Sequence, residues 1–326
     1  MMLEKVYENI YRSQVPLPNN PLKALNSYII KGKEKTVIID TGFNCKESKE
    51  VFYGDLDKLK VDMKTAEVVI THLHADHSGL AHELAQKGAQ IFMSRGDGEA
   101  AKRLREESNW LALKERLYMF GLEYDDKYLR MHPGRVYAPA AQFEFTVIKE
   151  ADELVVDEYR FQVVEVPGHT PDMINLYECR HGIYFSADHV LDPITPNIGF
   201  WGFKHSVILN QYLNSLKKIY GLRINIMFPA HRKLITDHQR RIDQLLAHHE
   251  HRLQEIEVIL TVKGRELTVV EVAKEMKWKI RAKNWDEFPP AQKVFAVGEA
   301  MSHLEYLNHR KTIAMKKRDG ILYFSI

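Results

Sequence analysis

Four of six consecutive positions hold residues that bind divalent cations: His72, His74, Asp76 and His77, within Thr71-His72-Leu73-His74-Ala75-Asp76-His77-Ser78-Gly79. Neutral imidazole is the commonest protein metal ligand, and carboxylate completes the donor set preferred by zinc, iron and manganese. An H-x-H spacing puts two imidazoles on one side of an extended segment. Asp76 and His77 then turn toward a second position. A polar loop held only by hydrogen bonds has no reason to concentrate ligand types in this way. Three further candidates, His169, Asp188 and His231, each follow a short apolar run that ends abruptly. Five imidazoles and two carboxylates exceed what one tetrahedral ion takes and suffice for two if one carboxylate bridges. Two such ions bring the pKa of a bound water to near 7 and clamp both the attacking and the leaving oxygen. No Ser, Cys or Lys nucleophile is then needed. The helix that opens after the motif does not help, because its amino terminus favours anions. Asp40 is the candidate to orient the 72–77 loop from behind by accepting its N–H groups.

The surrounding pattern says what must position these groups. Residues 26–40 read as a hairpin turning at Gly32-Lys33, and 46–60 as a helix with Val51, Phe52, Leu56 and Leu59 on one face. Val68-Val69-Ile70 is a short buried strand running straight into the motif. Residues 80–87 form a helix closed by Gly88, and 90–94 another strand. The motif thus sits at the carboxyl end of a strand in a β-loop-α-β unit, where α/β proteins bind ligands. Residues 97–131 read as helix with an apolar centre from Trp110 to Phe120. Strands are expected at 143–148, 153–157 and 160–166 as a meander, then a hairpin at 173–178 and 182–186, a helix at 205–220, a strand at 224–228 and a long helix at 237–260. Four of these strands end in His or Asp, and two mixed sheets with helices outside would gather them at one edge.

With these residues in order, and Ile39-Asp40-Thr41-Gly42 before them, the chain resembles the metallo-β-lactamase fold superfamily over about residues 1–235. The resemblance implies a four-layer αβ/βα sandwich. It implies one metal at His72, His74 and His169, a second at Asp76, His77 and His231, and Asp188 as the bridge. β-Lactamases of this fold usually carry Cys where Asp188 stands, and flavodiiron oxygen reductases carry Glu where His74 stands, so neither activity is expected. Glyoxalase II, lactonase and ribonuclease branches keep the Asp188 pattern, and mononuclear persulfide dioxygenases share the motif. The expected function is a dinuclear metal-dependent hydrolase, with zinc as the expected metal and iron or manganese as alternatives, in which a metal-bridging hydroxide cleaves a thioester, ester or lactone with an apolar acyl part. Asp76 would orient the nucleophile. The alternatives are a metal-dependent ribonuclease and a metal-binding sensor with little turnover.

Two regions bear on the substrate. Residues 97–137 interrupt the sandwich between strands and could form a helical lid over it. Trp110 and Tyr137 from that insertion, with Phe200 and Trp201 from the aromatic loop 196–203, are the candidate substrate-binding residues. Past residue 260 the pattern changes to helix (267–276), helix (290–308) and a hairpin turning at Asp319-Gly320. That order suggests a winged-helix-like domain at 261–326 beside a catalytic domain at 1–260. The 261–326 segment has 13 Lys and Arg against 8 Asp and Glu, whereas the whole chain is only +2. Its stretch Lys274–Lys283, with Trp278 and Trp285, could contact nucleic acid, although a solvated surface on a structural or dimerising domain is the simpler reading.

Among the 16 histidines, four crowd residues 238–251, and there a solvated helix face is expected for His248, His249 and His251. His82 and His189 are read as structural. Composition sets the remaining bounds. Hydrophobic residues at 45% and charged residues at 28% describe a globular chain. No apolar run approaches the roughly 20 residues of a membrane span, and the first residues contain no secretory h-region. Two cysteines, Cys45 and Cys179, exclude a disulfide framework and point to a reducing cytoplasm. The expected partner is a small-molecule substrate, with a homodimer possible.

Overall fold

The structure is a computed structural model that describes residues 3–205 and 207–326. Two sheets face each other. The first holds β1 (Glu4–Tyr7), β2 (Ile10–Pro16), β3 (Ala24–Lys31), β4 (Thr36–Ile39), β5 (Ala66–Val69), β6 (Gln90–Met93) and β7 (Thr146–Val147) in that order. Hairpin connections make β1 to β4 antiparallel, and helical crossovers make β4 to β7 parallel. The second holds β8 (Glu153–Val156), β9 (Tyr159–Glu165), β10 (Ile174–Glu178), β11 (Ile183–Ala187) and β12 (Ile226–Pro229), ordered β12-β11-β10-β9-β8, with only β11 and β12 parallel. The six central residues of β3 and all of β10 and β11 are buried. These strands are covered on both faces, which is why they read as unbroken apolar runs rather than alternating ones.

Between the sheets Tyr28, Phe161, Phe185 and Phe228 pack at centroid distances of 5.1–5.5 Å, largely edge-to-face, as ring quadrupoles prefer. The outer faces carry α1 (Lys46–Lys58), α2 (Ala75–Ser78) and α3 (Ala81–Gln86) on one side. The stretch expected to be helical at 97–131 holds four helices: α4 (Arg95–Lys102), α5 (Glu107–Met119), α6 (Asp126–Arg130) and α7 (Pro133–Val136). On the other side α8 (Ile208–Tyr220) buries Ile208, Leu209, Tyr212, Leu216 and Ile219 on one stripe, and α9 (His238–Lys263) lies beside it. The chain is therefore a mixed α/β sandwich with helices outside.

The structure departs from the sequence reading in three places. Residues 4–16, given no element from sequence, form β1 and β2. The expected meander over 143–166 is split, because β7 pairs with β6 in the first sheet while β8 and β9 join the second. Strand periodicity identifies such segments without saying which sheet they enter. Helix α9 runs to Lys263, past the boundary expected at 260. After it come β13 (Leu267–Thr268), α10 (Val269–Glu275), α11 (Pro290–His309), β14 (Ala314–Arg318) and β15 (Ile321–Ser325), the three strands forming a small sheet ordered β13-β15-β14. Asp319 and Gly320 have φ of 49° and 84°, as the Asp-Gly turn requires. Leu267, Val297, Leu304 and Phe324 belong to the same buried cluster as Leu209, Leu245 and Ile256.

Phe185→Ala removes the ring shared by three of the four contacts among Tyr28, Phe161, Phe185 and Phe228, the one to Tyr28 crossing between the sheets. It should cost about 3–5 kcal/mol, visible as a lower urea midpoint with an unchanged dependence on denaturant.

Candidate metal centre

The carboxyl ends of β4, β5, β9, β11 and β12 meet at one edge of the sandwich. Three bonds set the edge across the sheets. The Asn26 N–H donates to Ala230 O at 2.6 Å and its side chain to Pro229 O at 3.0 Å, which ties β3 to the end of β12. The Ile174 N–H donates to Thr71 O, joining the start of β10 to the motif. Gly79 lets the loop fold back, since a Cβ there would lie 2.5 Å from Gly42 O and 2.6 Å from Ala75 O.

Hydrogen bonds on the outer side of each ring fix its tautomer. The Nδ1–H of His77 donates to Asp40 Oδ2 at 2.8 Å, that of His231 to Ala24 O at 2.8 Å and that of His169 to Asn197 O at 2.8 Å. The Thr71 hydroxyl, 2.9 Å from Asp40 Oδ2, spends its only proton on that carboxylate and so accepts from Nδ1 of His72 at 3.1 Å. All four rings therefore aim an Nε2 lone pair inward. Asp40, at φ 58°, also accepts the Thr71 N–H at 2.9 Å.

Inside, His74 Nδ1 lies 3.0 Å from His72 Nε2 and 2.9 Å from His169 Nε2. Asp76 Oδ2 is 3.4 Å from His231 Nε2 and 3.7 Å from His77 Nε2. Asp188 spans the two groups, with Oδ2 3.5 Å from His169 Nε2 and Oδ1 3.5 Å from His231 Nε2. His77 Nε2, His231 Nε2 and Asp188 Oδ1 are buried without a hydrogen-bond partner. Orphaned buried acceptors of this kind are costly, and a cation satisfies them together. The trios His72–His74–His169 and Asp76–His77–His231 each bring their donor atoms within 4.8 Å of one another, so these residues fit a divalent-metal site of the N/O-preferring class.

Burial and the neighbouring charges act on these groups in opposite directions. Burial pushes His74 down to about 3, with the neighbouring His169 adding to it, and lowers His72 strongly for the same reasons. Burial opposes the charged form of His77 too, but Asp40, Asp76 and Asp188 outweigh it and raise His77. Asp76 loses water on burial, yet His77 and His231 hold it down at about 2. One carboxyl escaped the sequence reading. Asp97 accepts the Leu73 N–H at 3.3 Å and the Thr170 hydroxyl, coupling the motif to the loop that carries His169. Burial pushes it up to about 7. Its only sequence signal is a lone acid flanked by two glycines at the start of α4, which is too common to stand out.

The substrate candidates separate. The Trp201 indole donates to His169 O at 3.1 Å, and its ring lies 6.0 Å from that of His74. Phe200 is buried against Phe120 and Phe203. Trp110 is buried inside the helical insertion with its indole bonded to Leu104 O, and Tyr137 stacks on Phe43 at 4.4 Å. The structure gives both of these packing duties. His82 binds Gln142 O, and His189 is buried behind the site beside Asn175, as structural residues.

The reading of residues 248–251 as a solvated face is corrected. His249 is fully buried, with Nδ1 3.0 Å from His303 Nε2 on α11, while Glu250 and His251 remain exposed. Arg241 is buried as well, donating to Leu191 O and Ile194 O. His249 stands in the spacing of Ile242, Leu245, Leu253 and Ile256, four residues from its neighbours on the buried stripe that α8 and α11 cover.

Residues 22–231 match the family described as the metallo-beta-lactamase superfamily. The probable metallo-hydrolase YqjP of Bacillus subtilis is 24% identical, covering 91% of this chain and 92% of that protein. The acyl-coenzyme A thioesterase MBLAC2 of Bos taurus is 26% identical over 51% of this chain and 58% of its own length. The crystal structure of the metallo-beta-lactamase family protein TTHA1429 from Thermus thermophilus superimposes with a TM-score of 0.84 at 22% identity, over 99% of this chain and all of that one.

Two measurements test the supporting carboxylates. Asp40→Asn should weaken divalent-metal affinity by about 10–100-fold in a chelator competition, with secondary structure retained. Asp97 keeps a proton when folded up to about pH 7, whereas an unfolded Asp releases it near 3.9. The metal-free protein should therefore lose stability as pH rises from about 4 to 7. Asp97→Asn should flatten that slope in urea melts taken across the window, and an unchanged slope would show that another group sets it.

Proposed function

The chain belongs to the metallo-beta-lactamase superfamily and is a hydrolase of it, and we propose that it cleaves a thioester, ester or lactone with an apolar acyl part. The observation that carries this reading is Asp188 standing between two trios whose lone pairs all face inward. His72, His74 and His169 would hold one cation, Asp76, His77 and His231 the other, and Asp188 both. Zinc suits this donor set, as do iron and manganese. When bound, the pair would acidify a water to near neutral pH and polarise the scissile carbonyl.

The chain's own residues do the rest. Asp76, ionised and still partly accessible, accepts a hydrogen bond from the attacking water and fixes its orientation. The carbonyl carbon gains an oxygen, the bond to sulfur or oxygen breaks, and the leaving group departs with a proton. Trp201, beside His74, supplies an apolar wall at the reacting carbonyl. The resemblance to an acyl-coenzyme A thioesterase supports the choice of acyl substrate. We read residues 1–260 as the catalytic unit and 261–326 as a winged-helix-like accessory.

The ribonuclease alternative has less behind it. Trp278 gives its indole proton to Ala273 O, and its ring lies under the Arg252 guanidinium at 4.3 Å. Trp285 packs on Phe288. Both rings already have partners within the fold rather than a free stacking face. Among the described residues no helix is long and apolar enough to cross a membrane.

Metal-loaded enzyme assayed on acyl thioesters, lactones and aryl esters should turn over at least one class, favouring longer acyl chains. Trp201→Ala should raise KM about tenfold for a long-chain thioester and less for an acetyl one, within the range of apolar pocket contacts. Full metal loading with no turnover on the whole panel would overturn the proposal.

A further inference from the structure

Helix α11 faces α8 and α9 with more polar side chains than a helix seam requires. Loop 196–201 lies between this helix and His169, and four hydrogen bonds fix the loop to α11. Asn197 Nδ2 donates to Glu299 Oε2 at 3.0 Å and to Phe295 O at 3.3 Å, Ser302 Oγ donates to Ile198 O at 2.5 Å, and the Phe200 N–H donates to Gly298 O at 3.2 Å. The same loop grips His169 at two points. Asn197 O accepts its Nδ1–H at 2.8 Å, and the Trp201 indole donates to its carbonyl at 3.1 Å.

Glu299 is only 8% exposed. Arg252 Nε faces its other oxygen at 3.7 Å and His248 Nε2 at 3.9 Å, both from α9. A buried carboxylate is tolerated only with such partners, so its orientation toward Asn197 is set from behind. The path His169–Asn197–Glu299 joins a ligand position to α11 of the C-terminal segment, and Arg252 of α9 braces its far end. We propose that Glu299, acting through Asn197, is a positioning residue for His169, so that the C-terminal segment tunes the affinity of the His72–His74–His169 cation position. The proposal rests on reading His169 as a metal ligand. It assigns the segment a task inside the catalytic unit rather than on a separate macromolecule.

An acceptor that holds a ligand histidine by its second nitrogen fixes ring orientation, and its loss costs about 10–100-fold in metal affinity. Asn197→Ala cuts the tether and leaves the backbone carbonyl in place. Glu299→Ala removes the anchor, and Glu299→Gln keeps an acceptor for Asn197. The full-length protein is titrated with cobalt(II) against a chromophoric chelator, and exchange of the paramagnetically shifted imidazole N–H protons is followed by NMR. Wild type should bind two cobalt ions. Asn197→Ala and Glu299→Ala should weaken one of the two by about 10–100-fold and leave the other unchanged, with faster exchange of a single imidazole proton. Glu299→Gln should recover most of the loss. Asn197 is half-buried, so its variant keeps the test alive if Glu299→Ala fails to fold. Two tight sites in both alanine variants, with one site lost in His169→Ala, would overturn the relay. Two tight sites in His169→Ala itself would instead overturn the ligand assignment beneath it.

Discussion

Four imidazoles each spend their Nδ1 proton on an outward acceptor, and everything at the site depends on that. A neutral imidazole has one proton and one lone pair, so fixing the first aims the second. The acceptors come from far apart in the chain: Ala24 O at the start of β3, Asp40 after β4, Thr71 after β5 and Asn197 in the loop beside α11. Each must be placed to within a hydrogen-bond length. The sandwich does this by ending its strands at one edge, and the bonds from Asn26 and Ile174 hold the two sheets in register there.

What the sequence displayed of this follows from how local each signal is. The motif at 71–79 could be read because its candidate ligands lie within one loop and their spacing is chemical. His169, Asp188 and His231 carried meaning only as strand ends. The outward acceptors were mostly invisible, because two of the four are backbone carbonyls, which any residue supplies. Asp40 was the exception, as a carboxylate closing a strand. Strand pairing was legible for hairpins such as β10–β11 and opaque where the chain passes from β7 in one sheet to β8 in the other.

The misread helix at 248–251 has a clear physical origin. A helix carrying Arg240, Glu250 and His251 looks solvated when judged by composition. Its stripe of Ile242, Leu245, Leu253 and Ile256 shows a buried face with His249 in line. Position on the stripe outweighs residue type once a second helix packs there. His249 keeps company with His303 and Ser302 on α11, so a buried polar seam joins the two parts of the chain where a solvated face was expected.

The junction between the sheets has a consequence in time. The His72–His74–His169 trio is complete once the chain has been made as far as residue 169, but the other waits for His231, and Asp188 arrives between them. Closing loops of this length is slow compared with local helix formation. A nascent chain therefore passes through a stage in which one half of the centre is written and the other is not. The bonds from Asn26 to Pro229 and Ala230 are then the last stitches of a seam whose two edges are synthesised about two hundred residues apart.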